Sequence, residues 1–121
     1  MVLVTGATGF LGSELVRQIL AFYPKRIVLI DIYENHMYDL QQEINMDRRA
    51  GTMQKGTEAI CLLGSVRDKT RINQIMAKYK PDVVFHAAAH KHVPLVEDSP
   101  LEAIKNNVLG TKNVIECCIM N

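Results

Sequence analysis

The 121 residues predict an α/β fold with a doubly wound parallel sheet of about four strands, on three observations. Short apolar runs alternate with segments of helical period, strand then helix, four times over. The runs are continuous rather than alternating, as in RIVLID (26–31) and AICLL (59–63), which implies burial on both sheet faces. Gly or Pro falls at the joints, at Gly6, Pro24, Gly64 and Pro81.

Val2-Leu3-Val4-Thr5 is a short buried strand that stops at Gly6. From Phe10 to Phe22 the residues Leu11, Leu15, Ile19 and Phe22 recur at helical spacing, and Pro24 ends that helix. Arg26–Asp31 is the second strand. Residues 33–49 predict a helix with its stripe at Tyr33, Met37, Leu40 and Ile44, and residues 48–58, with Gly51 and Gly56, a polar loop. Ala59–Leu63 is the third strand, closed by Gly64. Asp68 is the expected cap of a helix whose buried stripe is Ile72, Ile75, Met76 and Tyr79. Pro81-Asp82 breaks it, and Val83-Val84-Phe85 is the fourth strand. Ser99-Pro100-Leu101-Glu102 predicts a capping box opening one last helix that runs to near the end.

This length fits one domain, residues 1–121. With 14 basic and 13 acidic residues and a net charge of +1, nothing electrostatic points to nucleic acid or an anionic membrane. Cys61, Cys117 and Cys118 are odd in number with two adjacent, which suits small buried hydrophobes in a reducing compartment better than disulfides. No apolar run approaches the roughly 20 residues that span a bilayer. MVLVTGATG lacks the basic start of a signal peptide. A cytoplasmic chain is expected; a longer protein containing it is compatible with a membrane anchor elsewhere.

In such folds ligands bind beyond the carboxyl ends of the strands. At the first end, Gly6, Gly9 and Gly12 sit between strand and helix. A tight turn there needs glycine, a pyrophosphate needs backbone free of Cβ atoms, and the helix N-terminus offers N–H groups. At the second, Asp31 is placed to accept from both hydroxyls of an adenosine ribose and to repel a 2′-phosphate. No Arg or Lys follows within several residues, which favours NAD over NADP. The fourth strand runs into HAAAHKHVP (86–94), where Ala87, Ala88 and Ala89 leave room for a flat cofactor. His86, His90 and His92 invite a metal reading, but no cysteine or carboxylate cluster joins them and none is assigned. In the last helix Asn106, Asn107 and Gly110 are poor helix formers, which close packing or a site would explain.

VTGATGFLG resembles the phosphate loop of the extended short-chain dehydrogenase/reductase family, whose members are Rossmann-type NAD(P) proteins. The resemblance implies that Thr5, Gly6, Thr8, Gly9, Phe10, Leu11 and Gly12 contact the cofactor, together with Asp31 and Ala87–Ala89. It implies an adenine contact at Ser65 and Val66, where relatives usually carry Asp in place of Ser65. Asp31, Glu34, Asn35 and Tyr38, then PDVVFH, HAAAHKHVP, Glu97 and KNNVLGT (105–111), resemble the CapD-type polysaccharide biosynthesis branch. That implies a nucleotide-sugar 4,6-dehydratase or epimerase acting on a UDP-N-acetylglucosamine-like substrate through transient oxidation at C4, and commonly a homo-oligomer. Lys91 is then expected at the substrate diphosphate or a sugar oxygen, and Asn107 near the active centre in a positioning role. The Tyr-x-x-x-Lys pair of the family is absent from residues 1–121. The chain is therefore expected to be the N-terminal part of a larger enzyme, inactive alone. A non-catalytic dinucleotide-binding or regulatory module is the alternative.

Overall fold

The computed structural model describes residues 1–51 and 56–121. Strands β1 (Val2–Thr5), β2 (Arg26–Asp31), β3 (Glu58–Leu63) and β4 (Val83–His86) form one parallel sheet in the order β3-β2-β1-β4. Helices α1 (Phe10–Leu20), α2 (Glu34–Ala50) and α3 (Lys69–Tyr79) link successive strands. After β4 come α4 (Val93–Asp98), α5 (Pro100–Ala103), a π-helix (Ile104–Leu109) and α6 (Gly110–Met120). Thr5 pairs in register with Ile30 and His86, and Asp31 with Leu63, so the four strand ends share one rim.

Alternate side chains of the central strands enter opposite faces. Val4, Ile27 and Leu29 pack with Val16 and Ile19 of α1 and with Met37, Leu40 and Ile44 of α2. Leu3, Val28 and Ile30 pack with Ile72, Ile75 and Met76 of α3 and with Val114 and Cys117 of α6. Double-sided burial is the physical reason for the continuous apolar runs. β3 and β4 are the sheet edges, and Val83 and Phe85 of β4 remain exposed.

Several local expectations are corrected. The buried stripe of α1 is Gly12, Val16, Ile19 and Leu20, while Leu11 and Phe22 are exposed. The glycine turn fixes the phase of this helix by backing Gly12 onto Gly6, which turns Leu11 outward. The helix also stops at Leu20, before Pro24. α2 extends through Ala50 to a left-handed Gly51, shortening the predicted loop, and Tyr33 is exposed. Residues 52–55 of that loop lie outside the described residues. Asp68 does cap α3, accepting the Arg71 N–H at 2.9 Å.

The predicted capping box is not formed. Ser99 makes no side-chain cap bond, and the N–H that Glu102 would accept in such a box closes α4 onto Leu95 and Val96. Glu102 turns instead to Arg67, 2.7 Å away. Nor is the last helix continuous. The Gly110 N–H reaches back five residues to the Lys105 carbonyl, and Thr111 Oγ1 donates to the Asn107 carbonyl at 2.6 Å. A threonine bonded to the carbonyl four residues back bends helices. Gly110 gives close packing, but against the loop after β3 rather than the sheet: a Cβ there would stand 2.7 Å from Val66 Cγ2. Cys117 is buried and Cys61 partly so, but Cys118 is exposed. Desolvation pushes all three thiols up, away from the thiolate that reactivity needs. Among the described residues no helix is long and apolar enough to cross a membrane.

Candidate functional site

The rim opens into a cleft of about 890 Å³, toward the large end of the ~300–1,000 Å³ typical of ligand pockets. It lies where the chain leaves β1 toward β2 on one side while β4 flanks β1 on the other, the switch point at which such sheets bind ligands.

At the β1 end, Gly6 has φ +67°, and a Cβ on it would stand 2.5 Å from the Ala88 nitrogen and 2.6 Å from the Ala87 carbonyl carbon. A Cβ on Gly12 would overlap the Gly6 carbonyl oxygen and stand 2.8 Å from its carbon. The turn is therefore packed backbone to backbone. Gly9 is the N-cap of α1, with no capping side chain and no acidic residue in the first turn. The partial positive end of this 11-residue helix is left without a side-chain acceptor. Gly6, Thr8, Gly9 and Phe10 line the cleft, whereas Thr5, Leu11 and Gly12 do not. Thr5 is fully buried and bonded to His86; Gly12 is buried behind the turn. Thr8 Oγ1 is buried with no hydrogen-bond partner among the described residues.

At the β2 end, Asp31 lines the cleft but is only 7% exposed. Oδ2 accepts the Thr8 N–H at 2.9 Å; Oδ1 accepts those of Ile32 at 2.7 Å and Tyr33 at 3.4 Å. Asp31 thus ties β2 to the glycine turn. At the β3 end, Ser65 and Val66 line the cleft. Ser65 Oγ accepts the Arg67 N–H at 3.2 Å, and Asn113 Nδ2 donates to the Val66 carbonyl at 3.0 Å, pinning this loop to α6.

At the β4 exit, Ala87, Ala88, Ala89 and Lys91 line the cleft. The Lys91 ammonium lies over the Phe10 ring, 4.6 Å from its centroid, bridging the two loops. Asn107 is not on the cleft wall. Its Oδ1 accepts the His90 N–H at 2.8 Å and its Nδ2 donates to the His90 carbonyl at 2.9 Å, so it acts on the loop behind the wall. His90 and His92 line the cleft, but His86 is held between Thr5 and Thr111. Among the described residues no group of three or more His, Cys, Asp or Glu side chains is placed to hold a metal ion.

Sequence reasoning missed α4, which supplies Leu95 and Val96 to the wall, and the supporting roles of Thr111 and Asn113. Pro94 early in a helix was the available signal for α4, but six residues are too few to show a period. Nothing local marks the Thr111 contact with His86 or the Asn113 contact with Val66, which join residues 25 or more positions apart.

A family model described as polysaccharide biosynthesis protein matches residues 2–121. The chain is 48% identical over 115 residues to a capsular polysaccharide biosynthesis protein, CapD, of Staphylococcus aureus, covering 95% of this chain and 18% of that protein. It is 35% identical over 124 residues to an inverting UDP-N-acetylglucosamine 4,6-dehydratase of Campylobacter jejuni, covering 99% of this chain and 33% of that protein. The crystal structure of a Thermus thermophilus UDP-glucose 4-epimerase complexed with NAD superimposes with a TM-score of 0.73 at 26% identity, covering 97% of this chain and 33% of that one. The chain thus spans a fifth to a third of the length of these relatives.

Proposed function

We propose that this chain, which belongs to the polysaccharide biosynthesis protein family, is the dinucleotide-binding part of an enzyme that dehydrates or epimerises a UDP-N-acetylglucosamine-like nucleotide sugar. The observation that carries the reading is the backbone-to-backbone packing of the Gly6–Gly12 turn at an uncapped helix N-terminus. A diphosphate needs both features, a surface without Cβ atoms and unclaimed amides. The unpartnered Thr8 hydroxyl beside them fits the same ligand. NAD is the proposed cofactor; when bound it supplies the reversible hydride transfer that side chains cannot.

In this reading the α1 amides hold the diphosphate and Asp31 accepts from the adenosine ribose. Ser65 and Val66 flank the adenine, and the three alanines leave space for the nicotinamide half. Lys91 meets the substrate diphosphate or a sugar oxygen. Its contact with Phe10 is worth only about 0.5–1 kcal/mol at an exposed site, so an anionic oxygen displaces it easily.

Calorimetric titration of the folded chain with NAD and NADP tests the site. NAD is expected to bind, and more tightly than NADP; binding of neither overturns the reading. In the full-length protein, Lys91→Ala is expected to raise KM for the nucleotide sugar by ~10-fold or more, the loss of a charged hydrogen bond. Unchanged KM and turnover would remove Lys91 from the site.

A further inference from the structure

His86 ends β4 and is absent from the cleft wall, yet it stands at the centre of a directed hydrogen-bond chain. Its Nδ1 is 2.6 Å from Thr5 Oγ1, and its Nε2 is 2.9 Å from Thr111 Oγ1. Thr111 spends its single hydroxyl proton on the Asn107 carbonyl. It must therefore accept from His86, which puts the ring proton on Nε2 and leaves Nδ1 to accept from Thr5. Burial holds the imidazole below its ordinary pKa, in keeping with a neutral ring.

The chain continues into the cleft loop. Asn107 clamps both backbone groups of His90, and Asn106 Nδ2 donates to Asn107 Oδ1 at 3.0 Å, which fixes the orientation of the carboxamide. The loop is tied at its start by the Ala87 N–H to the Thr5 carbonyl, and at its end by the Val96 N–H to the His92 carbonyl. The His90 clamp anchors its middle. Asn107 makes this clamp from within the π-helix, whose C-terminal boundary carries the Thr111 bond. Such helical irregularities are frequent at functional sites.

We propose that His86 and Thr111 are positioning residues: they hold the π-helix so that Asn107 fixes the Ala87–His92 loop at the width the cleft ligand requires. The proposal rests on the dinucleotide reading of the cleft for its functional consequence. It goes beyond that reading in naming two residues off the wall that set the geometry of the wall.

Thr111→Val keeps the side-chain shape but neither donates to Asn107 nor accepts from His86, whereas Thr111→Ser keeps both bonds. Amide exchange at His90 is expected to rise by ~5- to 10-fold in Thr111→Val, with a parallel rise in the Kd for NAD, and Thr111→Ser should return both to the unmutated values. Unaltered His90 exchange in Thr111→Val, or the same loss in Thr111→Ser, overturns the proposal. If Thr111→Val does not fold, long-range proton–nitrogen spectra of the unmutated protein at neutral pH decide. They should show His86 neutral and protonated on Nε2, and a charged or Nδ1-protonated ring overturns the chain as drawn. An unmutated chain that binds no dinucleotide removes the functional reading alone; the exchange and ring spectra then decide whether the loop is held in this way.

Discussion

Gly12→Ala is expected to lower stability by about 3 kcal/mol, the upper range for forced overpacking, and to remove measurable NAD binding. The added methyl would meet the Gly6 carbonyl and the Ala7 Cα, all of it backbone, so no side chain can rotate away. Relief requires the turn to lift off α1. Gly6 is itself pressed against Ala87 and Ala88, so the displacement passes to the β4 exit. Misplacing a binding group by about 1 Å is enough to cost ~10²-fold in activity. Gly9→Ala is the control for stability within the same motif. A Cβ there finds only the Gly6 oxygen at 3.4 Å, an ordinary contact, so the cost is about 1 kcal/mol or less, that of a poorer N-cap. Denaturant unfolding of both variants, with calorimetric titration of Gly12→Ala, makes the comparison. A Gly12→Ala protein that unfolds and binds as the unmutated chain does would show that the turn is looser than its packing implies.

The contrast between these two glycines also marks how far the sequence could be read. The spacing of Gly6, Gly9 and Gly12 placed a tight turn at the end of the first strand, but it treated the three alike. Only the fold separates a residue jammed against backbone from one with room for a methyl group. The sheet was legible because double-sided burial writes itself as continuous apolar runs, and its register put the ends of those runs on one rim. Short elements were less legible. α4 is six residues long, and the π-helix is accompanied by bonds of Thr111 and Asn107 to each other and to distant partners. The capping-box pattern at Ser99 and Glu102 was real in sequence but lost to a competitor, since Arg67 offers Glu102 a full charge where the helix offers one amide. Asn107 stood out in the sequence as a poor helix former kept in a helix, and it lies in the π-helix. Its action through the His90 backbone depends on where the loop lies.

Asp31 carries the second large expected effect, and it separates two roles held by one carboxylate. A carboxylate offers about four acceptor sites, and the N–H groups of Thr8, Ile32 and Tyr33 already claim three. That leaves capacity for one strong bond to a ribose hydroxyl rather than two. Asp31→Ala strips the acceptor from all three amides and is expected to cost about 3 kcal/mol of stability, as for losing charged hydrogen bonds at a buried site. Asp31→Asn keeps one oxygen, so either Thr8 or the Ile32 side faces an NH₂ group, and an intermediate loss of about 1–2 kcal/mol follows. Neutralising the carboxylate also removes its repulsion toward a 2′-phosphate. The preference for NAD over NADP should therefore shrink by at least ~10-fold in Asp31→Asn, since like charges in contact cost several kcal/mol. Unfolding and dinucleotide titration on the same variant read the two roles independently. Lost stability with an unchanged NAD/NADP ratio would make Asp31 an anchor for the glycine turn and nothing more. A shifted ratio with native stability would mean that the three amides find other partners, and that the charge is held for the cofactor.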